Sequence, residues 1–483
     1  MGGFFQARSV GGFSSAVTGA SVVSGAFHVD PDNLSGSNGG NGILIGEVGR
    51  IGGSASGVNG TGPWDLSQWF TKCSADTYIP GDLTYCWTAN YLPASVVEFR
   101  GGGSAATAFD EAGSNKIIFR AYPGHTPRID ATGTTEPING GGDGPFWMRE
   151  GNFRWDHWTI LTQISCWSVN SGDTCGGLEW FDIRAGKVGT THAGDNSGRI
   201  KLGGASPTFR IRGYQTIPGM HETGTNANAA EIYMINTDDG IIENCLLRWD
   251  GSGGAVHHKR NLGTTNITIR DSLFYSGTDG TPAWKAVAAQ NHHWENCILA
   301  TLERAVMVHF FSDYQAGGQD PTGYQCTFDH CTLARVGTKL GDGVAIGPCT
   351  QFSDGGFGGK DGRLKNCILE DSAILMYGGT PNTLFAHNTD CDWNHYGATA
   401  PVAMYGRDGS NEYNTLAAWQ AETTYSNSGH DANSVEGAIP WDTTRDPEDP
   451  LTFSASTADG SDGEPIGANV SIVGPVGAGY PLG

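Results

Sequence analysis

The chain has 483 residues, 74 of them glycine, with charged residues at only 16% and a formal net charge of -22. That balance excludes general binding of nucleic acid, whose phosphates would be repelled. An aromatic content of 10% excludes simple disorder, and no apolar run is long enough to cross a membrane.

Residues 1–62 are rich in Gly, Ser, Ala and Val, and the start lacks the basic region of a signal peptide. Phe4, Phe5, Phe13 and Phe27 are more than a solvated linker needs, so the segment reads as an arm that orders against a partner subunit. Residues 63–95 open on Pro63-Trp64-Asp65-Leu66-Ser67-Gln68-Trp69-Phe70, a short amphipathic helix expected to cap the open end of a solenoid.

From residue 96 to 405 one short phrase returns. It reads Ile242-Glu243-Asn244-Cys245-Leu246-Leu247, then Ile269-Arg270-Asp271-Ser272-Leu273-Phe274, and again around Cys297, Cys331 and Cys367. The small residues at 245, 272, 297, 331 and 367 are spaced by 27, 25, 34 and 36. Such a loose period marks a solenoid, in which each repeat buries its apolar side by stacking on the next. Each phrase alternates apolar and polar, as a strand does. Aligning Trp158, Ile183 and Tyr214 with Cys245 extends the pattern backwards to at least eight turns.

The repeat cysteines are expected as small buried residues inside the coil. Cys73 with Cys86, and Cys166 with Cys175, are the pairs placed to close loops in an oxidising compartment. A second strand per turn is read at residues 231–235, 255–259, 286–290, 305–309, 343–346 and 373–377, and residues 384–389 read as the last good repeat. Residues 406–483 contain a short helix at 415–421 and then an Asp-, Gly- and Pro-rich extension along the flank. The fold class expected is an all-β parallel solenoid with an N-terminal helical cap and an irregular C-terminal extension.

The Asn-Cys-x-Leu phrases, Phe119-Arg120-Ala121-Tyr122-Pro123-Gly124-His125-Thr126-Pro127-Arg128-Ile129, and the passage from Thr415 to Leu451 together resemble the right-handed parallel β-helix, pectate-lyase-like superfamily. The resemblance covers roughly residues 95–455. It implies stacked asparagines at the repeated turn, and a fold that hosts tailspikes, adhesins, hydrolases and polysaccharide lyases alike. It also implies that functional residues stand on an exterior sheet face.

His257-His258-Lys259-Arg260 is the densest basic stretch in this acidic chain. Strand alternation puts His257 and Lys259 on one face. Aligning Val256, Val287 and Val306 sets Lys259 beside Gln290 and His309, with Glu231 and Tyr233 one turn earlier. The catalytic candidates are therefore Lys259, His257 and His309; the ligand-binding candidates are Glu231, Tyr233, Arg260 and Gln290. No cofactor is implied with certainty, and the Asp-rich turns at 238–240 and 459–463 are the candidates for weak Ca²⁺ binding.

Two functions fit. One is a virion-surface or cell-surface β-helix of tailspike or fibre type, extracellular and homotrimeric, joined to assembly proteins by its N-terminal arm and meeting surface polysaccharide along its flank. The other is a secreted polysaccharide lyase that cleaves a uronic-acid polymer by β-elimination, with Lys259 as base.

Overall fold

The computed structural model describes residues 26–30, 64–103 except 77, most of 109–131 and of 144–301, the segments 308–311, 326–336, 350–352, 362–370, 390–397, 406–408, 411–413 and 415–421, and residues 431–477. The expected assembly arm lies outside the described residues apart from the strand Phe27–Val29. The candidate strand positions 343–346, 373–377 and 384–389 lie outside them too.

Three all-parallel sheets of 12, 11 and 9 strands carry the described chain. We number them 1, 2 and 3. Successive strands visit them in rotation. Phe209–Arg212 lies in sheet 1, Gln215–Thr216 in sheet 2 and Ala230–Ile235 in sheet 3, and Asp239–Glu243 returns to sheet 1 beside its predecessor. Parallel neighbours need a long crossover, and here the other two sheets supply it. The architecture is predominantly β and consistent with a β-helix solenoid.

Between sheets 1 and 2 the chain turns on one residue in the left-handed backbone region. These corners are His157, Asp182, Gly213, Asn244, Asp271, Asn296, His330, Asn366 and Trp393, with φ between 49° and 68°. Glycine enters this region freely and Asn or Asp with little strain. Backbone geometry thus accounts for the recurring Asn and Asp. Their side chains do not build one continuous amide ladder. Asn296 Nδ2 donates to Asp271 Oδ1 at 2.7 Å, whereas Asn366 Nδ2 donates to Asp329 Oδ1 at 3.0 Å and Asn244 Nδ2 to the Ile472 carbonyl at 3.4 Å. Asp271 and His330, which would be costly inside an amide ladder, are satisfied locally; His330 lies between Asp329 and Asp462.

The residue after each corner turns inward. Trp158, Ile183, Tyr214, Cys245, Ser272, Cys297, Cys331, Cys367 and Asn394 are all buried. The cysteines are stacked there, but they do more than fill space. Each of the four thiols donates to the carbonyl two residues earlier, at 3.1 to 3.4 Å, and Ser272 Oγ does the same at 2.7 Å. The backbone N–H of Cys245 donates to Ser272 Oγ in the next coil, and that of Cys367 to Asn394 Oδ1. A corner has no ladder partner for every backbone group, and these side chains satisfy the remainder. Cys73, Cys86, Cys166 and Cys175 are buried free thiols, so neither loop-closing pair is joined.

Inward positions of sheet 1 stack in register from Phe119 through Trp155, Trp180, Ile211, Ile242, Ile269, Trp294 and Phe328 to Leu364. Trp294 lies parallel to Phe328 with centroids 5.5 Å apart. The N-terminal helix spans Leu66–Ser74, starting later than Pro63 suggested. Asp65 caps it, accepting from the Gln68 N–H while the Gln68 side chain accepts from the Asp65 N–H. Its Trp69 is fully buried against Tyr91, Phe99, Phe119 and Trp158.

Between Leu273 and Ala334 sheet 2 is apolar on both faces, which explains the unbroken runs Leu273-Phe274-Tyr275 and Ile298-Leu299-Ala300. Phe274 and Leu299 face the coil interior. Leu273, Tyr275, Ile298, Ala300 and Ala334 form a second cluster with Phe453 and Val473, against which Trp441, Ala468 and Val470 also pack. A sheet covered on both sides reads as continuous hydrophobic sequence.

Candidate functional site

Sheet 3 carries the candidate site. Its interior is lined by Val97, Phe99, Phe146, Met148, Ile200, Leu202, Ile232 and Met234. The residues between them fall in one register column: Glu98, Trp147, Ser168, Lys201, Tyr233, His257, Lys285, His309 and Gln351. Parallel neighbours lie about 4.8 Å apart, so the column offers one polar or aromatic position per coil.

This pairing brings some of the predicted residues together and separates others. Tyr233, His257 and His309 share the column, with Lys285 between the two histidines. Lys259 pairs with Ile235 and Val287 instead, so the alignment that set it beside Gln290 and His309 is corrected by a slip of register. Val256 pairs with Trp284, and Trp284 with Val308, rather than valine with valine. The side chains of Lys259, Lys285, His309 and Gln351, and all of Arg260 and Gln290, lie outside the described residues.

Glu231 also departs from expectation. It is fully buried, forms an ion pair with Arg199, and accepts from the Tyr214 hydroxyl at 2.9 Å. Tyr214 belongs to the coil core, and Arg199 donates through Nε to the Thr162 carbonyl. A carboxylate so placed holds a buried cation. Removing either partner would strand a charge, typically at a cost of about 3–5 kcal/mol.

Tyr233 and His257 touch edge to face with centroids 4.9 Å apart, both almost wholly shielded from solvent. Glycine at 198 permits the close approach of the Tyr233 backbone, since a Cβ there would come 2.7 Å from the Tyr233 Cβ and backbone nitrogen. The neighbouring His258 turns the other way, into the core. Its Nδ1 shares a 2.9 Å hydrogen bond with His292 Nε2, and its Nε2 shares one of 3.0 Å with Thr237 Oγ1. Burial, with His293 nearby, pushes His292 down to about 3.

The column also contains a group that sequence reasoning missed. Arg149 lies 3.3 Å over the Trp147 ring, with Glu98 on one side of its guanidinium at 2.9 Å and Asp173 on the other at 3.1 Å. Trp147 Nε1 donates to Asp173 Oδ2 at 2.6 Å. Hydrogen bonds from Arg100 and Arg149 hold the Glu98 carboxyl below its ordinary range. Glu98 and Arg149 are 51 residues apart in sequence, so only strand register brings them together. Lys201 and Lys285 were missed for the same reason; the interior Trp284 was the signal that would have fixed the register.

Asp250 pairs with Arg248 at 3.0 Å, and Asp239 accepts from Asn266 at 2.9 Å. Among the described residues no group of three or more His, Cys, Asp or Glu is placed to hold a metal ion. Asp462, in the Asp-rich turn at 459–463, faces His330 and accepts from the Glu464 N–H. No helix among the described residues is long and apolar enough to cross a membrane. No protein-family model, curated protein or solved structure matches this chain.

Proposed function

We propose that the chain is an exposed β-helix of the pectate-lyase-like type, borne on a virion or cell surface as a tailspike or fibre, and that it contacts acidic glycan along sheet 3. The register column carries this reading. In a chain of net charge -22, Lys201, His257, Lys285 and His309 occupy the same position of four among five consecutive coils. A linear polymer with repeating carboxylates suits a column in which two lysines, Lys201 and Lys285, recur among polar and aromatic positions. Parts of the other two faces are occupied from within: sheet 2 between Leu273 and Ala334 by the C-terminal segment, and sheet 1 between Arg154 and Arg270 by paired charges. Glu98, held ionised by two arginines, suits a ligand contact better than a general acid.

Retention of the intact protein on immobilised acidic and neutral polysaccharides tests the reading. Binding to the acidic polymer should weaken as salt rises, because exposed charges are screened. Failure to retain any acidic polymer would overturn it, and accumulation of unsaturated ends would replace binding with β-elimination.

A further inference from the structure

A second cationic locus lies on the outer face of sheet 1, away from the column on sheet 3. Arg154, Glu179 and Arg210 share one register position, and Phe181, Arg212, Glu243 and Arg270 share the position two residues on. Arg212 lies 3.9 Å and Arg154 4.4 Å from the centre of the Phe181 ring, which fixes both guanidinium planes. Lys116, fully buried, lies 3.9 Å from Glu179. Two of these carboxylates have settled partners: Glu179 takes Arg154, and Glu243 is shared by Arg210 and Arg270.

Glu111 is different. It comes from a turn about a hundred residues away in sequence, and its side chain is 61% exposed. Each carboxylate oxygen meets its own arginine: Oε1 meets Arg210 at 2.6 Å and Oε2 meets Arg212 at 2.6 Å. The arginine side chains beneath are only 10% and 16% exposed. Burial would raise the Glu111 carboxyl, but Arg212 and Arg210 outweigh it and hold the group ionised. The carboxylate therefore seats like a ligand in a built two-arginine fork, on a side chain that is itself mostly in water.

We propose that Arg210 and Arg212 form a carboxylate-binding site that Glu111 occupies from within the chain, and that an external carboxylate, such as that of a sugar acid, competes for the same fork. This is independent of the sheet 3 reading. With Glu111 removed, Arg210 keeps Glu243 as its ion-pair partner, and the carboxylate that bridges Arg210 to Arg212 is gone. The planar fork matches a carboxylate, one oxygen per guanidinium.

The test uses the full chain with Glu111→Gln, which keeps the side chain's shape and removes its charge. Glucuronate should bind this variant at least about tenfold tighter than it binds the wild type, since an internal competitor lowers apparent affinity. Glucose should not bind at the site, and adding Arg212→Gln should abolish the gain. A second measurement guards against misfolding: acetate should raise the melting temperature of Glu111→Ala and leave that of the wild type unchanged. If neither glucuronate nor acetate shows these effects, or if the gain survives Arg212→Gln, the site is refuted. Equal or tighter binding of sulfate would refute the carboxylate assignment.

Discussion

Asn469 donates its backbone N–H to Oδ1 of Asn296 at 2.5 Å, across 173 residues of sequence. The contact is one of a series. Ser461 N–H donates to Asn366 Oδ1 at 2.8 Å, Ala468 N–H to Thr332 Oγ1 at 2.9 Å, and Gly474 N–H to the Asp271 carbonyl at 2.8 Å. The C-terminal segment thus runs back along the corners, coil by coil, while Val473 and Ala468 pack on sheet 2. The corner side chains serve as a rail for this strap.

Asn296→Ala removes the acceptor for Asn469 and the donor to Asp271, and it places a Cβ-bearing residue without a polar tip at positive φ. Each lost buried hydrogen bond typically costs about 1 kcal/mol and the left-handed backbone about 1 more. Urea unfolding should show the sum, about 2–3 kcal/mol. Asn296→Gly should recover the backbone part and leave the rest; a fully neutral Ala variant would refute the rail.

The column after the corners predicts an ordering of substitutions at Cys245. Cys245→Ser should be tolerated, because Ser272 already fills the next rung and donates to the equivalent carbonyl. Cys245→Val loses the donor and should destabilise by about 1–2 kcal/mol. Burial pushes the Cys245 thiol up to about 12, so it should resist alkylation in the native protein and react on unfolding, as read by peptide mass spectrometry.

The buried His258–His292 pair makes the coil acid-sensitive. His292 titrates near 3 when folded, against about 6.5 when unfolded, so the unfolded chain takes the proton first. The stabilisation is complete above about pH 6.5 and is lost progressively as pH falls toward 3. His258→Leu together with His292→Leu removes both partners and should flatten the stability profile in that window. An unchanged slope would show that other groups govern acid unfolding.

The repeat was legible because each rung carries the same local demand: a strand, a left-handed corner, then a small buried side chain. Asn244, Asn296 and Asn366 announce that corner, although the amide ladder they suggested is replaced by contacts to the strap and to aspartates. Sheet 3 was harder to read. The loops that feed it differ in length, and a wide coil accepts Trp284 where the preceding strand has Val256. Matching valines therefore put Lys259, instead of Lys285, beside His309. Parity of side chains predicted Glu231 outside; its ion pair with Arg199 draws it inward. Pairs such as Glu111 with Arg212 leave no local signal at all, since they depend on a turn folding back over four coils.

The account depends most on the register column of sheet 3 and the lysines in it, and a comparison of two lysines tests it directly. Calorimetric titration with an acidic oligosaccharide should show an affinity at least about tenfold lower in Lys285→Ala, the loss of one charge-assisted contact. Lys259→Ala should bind as the wild type does. Full affinity in Lys285→Ala, or a loss confined to Lys259→Ala, would contradict the register and the function drawn from it.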